Sequence, residues 1–176
     1  MSFLTKKDIE RLFDLLNEQM RLESLEGEVY LVGGAVMCLV FNARPATKDV
    51  DAYFQPARKI REAAAKVSVK VGIKEDWLND AVKGYFSDKG EYDMFLELSH
   101  LRVFVARAGY LLAMKSLAMR IGEEFHDLDD IRYLIRYLNL KTYQEATEMI
   151  TRFYPLERFP QKTLYALEEI FERKES

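Results

Sequence analysis

The sequence predicts an α+β protein, a small mixed sheet with helices around it and a helical extension after it. Three observations predict this. Two apolar strand-like runs, Glu28-Val29-Tyr30-Leu31-Val32 and Asp49 to Phe54, are separated by a Gly-Gly pair and a short apolar helix. Two further alternating runs, Tyr92 to Leu98 and Leu101 to Ala106, follow at strand length. From Ala108 to the end, every local signal is helical. Composition agrees: of 176 residues, 49 % are hydrophobic, enough to bury a core in one domain or in a compact core with an appendage.

The elements follow in order. Residues 5–24 read as an amphipathic helix, because Ile9, Leu12, Phe13, Leu16 and Met20 fall on one stripe. The strand at 28–32 is stopped by Gly33-Gly34, and a short helix spans about 35–42. Arg44-Pro45 breaks it before the second strand. Pro56 suits the first position of the next helix, where its missing N–H costs nothing. That helix runs through Ile60, Ala64 and Val67, and Asp76-Trp77-Leu78-Asn79 can open a short one. In the tail, Gly122 and Asn139 suit helix ends, Thr142-Tyr143-Gln144-Glu145 has the form of a capping box, and a last helix follows Pro160. The expected division is a core over 1–107 and a helical region over 108–176 packed on it.

Charge and cysteine content narrow the function classes. A net charge of −3 disfavours a protein that coats nucleic acid, which needs a broadly basic surface, but permits a local basic patch. The stretch from Arg44 to Lys70 offers one: its cations outnumber its acids, although a solvated helix face explains it equally. The single cysteine, Cys38, sits in an apolar run and suits a reducing compartment. No signal peptide and no apolar run of about 20 residues is present. The expectation is a cytoplasmic protein with no membrane partner. His100 and His126 lack partners at zinc-ligand spacing.

Chemistry concentrates in Val32-Gly33-Gly34 and Lys48-Asp49-Val50-Asp51. Side chains alternate along a strand, so Asp49 and Asp51 should share a face about 7 Å apart. Their mutual repulsion is relieved by a divalent cation, and Mg²⁺ (or Mn²⁺) suits one or two carboxylates plus phosphate oxygens. Glycines between a strand and a helix let backbone N–H groups approach a phosphate. Each half alone has an ordinary reading, a tight turn or a pair of solvated acids. Their order and placement on these elements make the combined pattern more specific. Lys115 offers a cation from the apolar face made by Leu111, Met114, Leu117, Ala118 and Ile121; otherwise it snorkels. If Lys115 meets a phosphate from that face, Lys115→Met should fold well. Asp127 can cap the next helix or pair with Lys115. On the strand at 92–98, Asp93 and Glu97 should share a face, and a solvent-facing acid is the plain reading of Asp93.

These motifs resemble a family. Leu31-Val32-Gly33-Gly34-Ala35 with Arg44-Pro45-Ala46-Thr47-Lys48-Asp49-Val50-Asp51 is similar to the signature of the DNA polymerase β-like nucleotidyltransferases. The similarity is nearest to the branch of AbiE-type (AbiEii-like) toxins and related bacterial proteins. Leu111 to Arg120 followed by His126-Asp127-Leu128-Asp129-Asp130 resembles that branch's second motif, with His126 where relatives carry Arg or Lys. The resemblance implies metal-dependent transfer of a nucleoside monophosphate from an NTP to an acceptor hydroxyl. It implies Asp49, Asp51 and Asp93 at the metal, with Asp93 the third carboxylate, base or ligand, and Gly33, Gly34, Arg44, Thr47, Lys115 and Asp127 around the nucleotide. RNA, such as a transfer RNA end, or a partner protein is the implied acceptor, and a cognate antitoxin an implied partner. The alternatives are an inactive binding or regulatory module of the same fold and a small-molecule (aminoglycoside-type) nucleotidyltransferase.

Overall fold

A computed structural model describes residues 3–120 and 126–175. Contacts divide the chain into two compact units, Met1–Gly84 with Tyr92–Ala106, and Tyr85–Glu91 with Arg107–Ser176. Together they make a mixed α+β protein. None of the described helices is long and apolar enough to cross a membrane.

The first unit comprises, in chain order, β1 (Leu4–Thr5), α1 (Lys6–Leu22), β2 (Gly27–Val32), α2 (Gly34–Leu39), β3 (Ala46–Thr47), β4 (Val50–Gln55), α3 (Ala57–Val71), β5 (Leu78–Asn79), β6 (Tyr92–Glu97) and β7 (Leu101–Ala106). Five strands form one sheet in the order β5-β4-β2-β7-β6, and β1 and β3 form a separate two-stranded ladder. β2 lies at the centre, antiparallel to β4 and parallel to β7. Cross-strand partners share a face, so Val29 with Phe54 and Val103, and Leu31 with Ala52 and Val105, form one apolar face. The α1 stripe (Ile9, Leu12, Phe13, Leu16, Met20) and Ile60, Ala63, Ala64 and Val67 of α3 are buried with it.

The other face of the sheet is half-exposed and aromatic. Tyr30 stacks on Phe104 with ring centres 4.8 Å apart and meets Tyr92 edge-on at 5.0 Å. Val32 and Asp51, opposite one another, belong to this face.

Three local readings are corrected. The expected helix at Asp76–Asn79 is instead the strand β5, parallel to Val50–Asp51. Trp77 decides this: it is fully buried, its indole N–H donates to Ala64 O at 3.0 Å, and its carbonyl accepts from Val50 N at 2.8 Å. The short apolar helix stops at Leu39 rather than 42, with Asn42 in the left-handed region at φ 51°. Pro56 caps α3 rather than opening it, since the first helical residue is Ala57.

In the second unit lie α4 (Ala108–Leu117), α5 (Asp127–Tyr137), α6 (Tyr143–Ile150) and α7 (Gln161–Glu175). Every residue of α4 from Tyr110 to Leu117 is buried, so this helix is a core element wrapped on all sides. Ile121 and Gly122, expected in its apolar stripe and at its end, lie outside the described residues. Asn139, at φ 57°, closes α5 as a left-handed cap. Thr142 accepts from Glu145 N at 3.1 Å, while the Glu145 carboxylate takes Lys141 N rather than the cap's own N–H. The segment Tyr85–Glu91 joins this unit, not the core to which the sequence assigned it. Ser87 N donates to Tyr110 Oη at 2.9 Å, and Tyr154 Oη donates to Tyr85 O. The tail aromatics pack on one another, Tyr110 with Phe153 at 5.2 Å and Tyr154 with Phe159 at 5.9 Å.

Candidate functional site

The Gly-Gly turn is the best-defined part of the site. Gly33 has φ 70° and ψ −151°, a region open essentially to glycine alone. A Cβ added there would lie 3.1 Å from Asp51 Oδ2. A Cβ on Gly34 would lie 2.8 Å from Arg44 Nη1 and 2.9 Å from Thr47 Oγ1. Five residues expected from the sequence thus converge on one turn: the two glycines, an acid, a guanidinium and a hydroxyl. The reason is topological. β2 ends at this turn, antiparallel β4 begins beside it, and the 44–47 segment lies on the connection from α2 to β4. Thr47, itself buried, donates to Asp49 O at 3.3 Å, which ties the basic turn to the acidic one.

Asp49 stands one residue before β4 and Asp51 within it, both half-buried. Lys74, from the segment after α3, makes an ion pair with Asp49 Oδ1. Asn79 of β5 is the register partner of Asp51, on the same face. Neither Lys74 nor Asn79 was expected; no local pattern marks a residue that long-range pairing brings in. Among the described residues no group of three His, Cys, Asp or Glu side chains is placed to hold a metal. The donors that are present, two carboxylates with the Asn79 amide alongside, are hard oxygen ligands of the type Mg²⁺ takes when phosphate oxygens complete its shell. The Lys74 contact shows that Asp49 already attracts positive charge.

Asp93 is not brought to this group. It pairs with Val105, which pairs with Leu31, which pairs with Ala52, so it belongs to the apolar face rather than that of Asp51. The expectation that Asp93 and Glu97 share a face also fails. A bulge between Met94 and Leu96 inserts Phe95, and Glu97 then pairs with Arg102, on the opposite face from Asp93.

Lys115 and Asp127 belong to the second unit. Lys115 neither snorkels nor stands free: its Nζ lies 2.7 Å from Asp130 Oδ2 and 3.8 Å from Asp127 Oδ1, all three side chains being less than a tenth exposed. Asp127 is the first residue of α5, with His126 at the cap position, so a capping role is excluded. It instead accepts from Arg120, at 2.9 Å from both the backbone N and Nε. Burial alone would raise the Asp127 pKa, but those hydrogen bonds and the Lys115 and Arg120 charges outweigh it and hold the carboxyl below its ordinary value. Asp130 lies within the quoted motif, yet nothing in the local pattern singles it out as the partner of Lys115 on the preceding helix.

Three cations of the basic stretch form ion pairs, one within its helix and two with distant acids. Arg58 meets Glu62 at 3.1 Å, Arg61 meets Asp80 at 2.7 Å and Lys66 meets Glu23 at 3.2 Å. A cavity of about 820 Å³ opens at the far end of the sheet, beside Gly27, Gln55 and Arg102, away from the Gly-Gly turn. Its lining carries four acids, Glu26, Glu28, Asp80 and Glu97, against two cations, Lys83 and Arg102.

No family model matches the chain, and neither does any curated protein or solved structure.

Proposed function

We propose that the chain is a metal-dependent nucleotidyltransferase whose first unit binds an NTP at the Gly33-Gly34 turn. The observation that carries this reading is the convergence of Asp51, Arg44 and Thr47 on the two glycines, each within 3.1 Å of where a Cβ would stand. A turn packed so closely by an anion on one side and donors on the other has a use for bare backbone, which is to bring N–H groups to a phosphate. Arg44 and Thr47 orient the polyphosphate, and Asp49 and Asp51 hold the divalent ion. When bound, that ion supplies charge neutralisation at the phosphates. An acceptor hydroxyl then forms a bond to the α-phosphorus and gives up its proton to water, while the α–β phosphoanhydride bond breaks and pyrophosphate leaves. The chain's contribution is positioning and preorganised charge. Asp93 has no part in this proposal as base or ligand, because its register turns it from the Asp51 face.

Thermal denaturation with Mg²⁺ and each NTP tests the reading. A nucleotide at a hundredfold excess over its dissociation constant should stabilise the chain by roughly 2.7 kcal/mol. Asp49→Asn with Asp51→Asn should abolish that shift while leaving the free protein as stable as before or more so. An undiminished shift in the double variant rejects the site. Incubation with labelled NTP and total RNA, or with co-expressed proteins, then identifies the acceptor; RNA and a protein partner such as an antitoxin are both outcomes.

The Lys74–Asp49 pair favours one second reading, a nucleotidyltransferase fold that binds without catalysis, its acid pair neutralised from within. Lys74→Met separates the two. If Lys74 only yields to the metal, the variant binds Mn²⁺ at least as well as the parent; if the acid pair has no metal function, neither binds it.

A further inference from the structure

A second cavity, of about 300 Å³, lies behind the Gly-Gly turn, lined by Lys6, Cys38, Asn42, Ala43, Arg44 and Pro45. In a chain with more acids than bases, none of its lining residues, among those described, is acidic. We propose that this cavity is a phosphate-binding site in which Lys6 and Arg44 supply the charge and Asn42 an amide donor.

The positions are built rather than incidental. β1 pairs with β3, Leu4 opposite Thr47 and Thr5 opposite Ala46, and this ladder delivers Lys6 to the 42–45 turn. Thr5 and Asp8 form a capping box that fixes the first turn of α1, so Lys6 leaves from an ordered backbone. Asn42 takes a left-handed conformation, and Ala43 N donates to Met37 O at 2.9 Å, closing the turn against α2. Arg44 Nη1 also stands 2.8 Å from where a Cβ on Gly34 would lie, so the same guanidinium borders both the turn and the cavity. A planar, oriented guanidinium beside an ammonium is a pairing suited to phosphate oxygens. The volume accommodates a phosphate with its attached sugar or waters.

Cys38 lines the same cavity. Its thiol is buried, which raises its pKa, and the Arg44 and Lys6 charges oppose that rise.

The inference does not need nucleotidyl transfer, since the cavity would bind phosphate even in an inert fold. Titrating the full chain with inorganic phosphate at constant ionic strength, followed by phosphorus NMR, tests it. Saturable binding is expected, weakened about tenfold in Lys6→Gln, the loss of one charge-assisted contact. Lys6 is exposed at the first position of α1, so this variant should melt like the parent. Repeating the titration with ATP identifies the source. Displacement of phosphate by ATP means that the cavity takes the nucleotide's terminal phosphate; joint binding means that it takes a separate one. No saturable phosphate binding by the parent, or equal binding by Lys6→Gln, overturns the proposal.

Discussion

Substituting Gly34 by alanine separates the stability of the turn from its use. Gly34 is the first residue of α2, a helical position where alanine is ordinarily favoured by about 0.5–1 kcal/mol. Against that gain, the new methyl would stand 2.8 Å from Arg44 Nη1 and 2.9 Å from Thr47 Oγ1. The Arg44 contact is with the far end of a long side chain, which can swing aside for about 0.5–1.5 kcal/mol of rotamer strain. Thr47 is short and buried, and can turn only by weakening its 3.3 Å bond to Asp49 O. The terms nearly cancel, so Gly34→Ala should melt within about 1 kcal/mol of the parent. Ligand binding should behave differently. Displacing Arg44 removes one charge-assisted hydrogen bond to phosphate, roughly 1.5–3 kcal/mol, which is about a ten- to hundredfold loss of NTP affinity. Calorimetric titration with NTP and Mg²⁺, beside a melting curve, measures both. Gly33→Ala is the control: its φ of 70° and ψ of −151° make the cost mainly conformational, about 1–3 kcal/mol of stability. If Gly34→Ala binds NTP as tightly as the parent, Arg44 does not hold phosphate and the proposed use of the turn fails.

Two predictions concern the helical unit. Lys115→Met, which the sequence alone expected to fold well, should instead cost roughly 3–5 kcal/mol, because it strips the counter-ion from buried Asp130. Adding Asp130→Asn should restore much of the loss in chemical denaturation, and a single variant as stable as the parent would refute the pairing. The lowered Asp127 pKa fixes a sign with pH. Its contribution is complete above the unfolded value of about 3.9 and is lost as pH falls through the lower folded one. Melting temperatures between pH 7 and pH 2 should therefore drop more steeply below about pH 4 in the parent than in Asp127→Asn; parallel curves would remove Arg120 and Lys115 as its stabilising partners.

What could be read from the sequence was whatever short-range period and turn chemistry encode. The α1 stripe, the β2 and β4 runs and the glycine turn are local patterns, and the short connection between them brings Asp51, Arg44 and Thr47 to one turn. The period-two argument failed at Asp93 and Glu97 because one extra residue, Phe95, reverses the faces, and an insertion of this kind leaves no trace in hydrophobicity. It failed at Leu78–Asn79 because a two-residue strand has no period; its existence depends on Trp77 finding a place beside Ala64. Lys74 and Asp130 were missed for a different reason. Ion-pair partners are chosen by three-dimensional proximity, and Lys74 lies 25 positions from Asp49 in the chain. A buried lysine tells the reader that an anion exists, not which one.

Trp77 is the chain's single tryptophan, fully buried in the first unit with Phe13 edge-on to it at 6.1 Å. Its emission is thus an intrinsic beacon for one of the two units, while far-ultraviolet dichroism sums the helices of both. Following the two signals through one denaturant titration asks whether the chain melts as one cooperative body or in two steps, with no label attached and no residue altered.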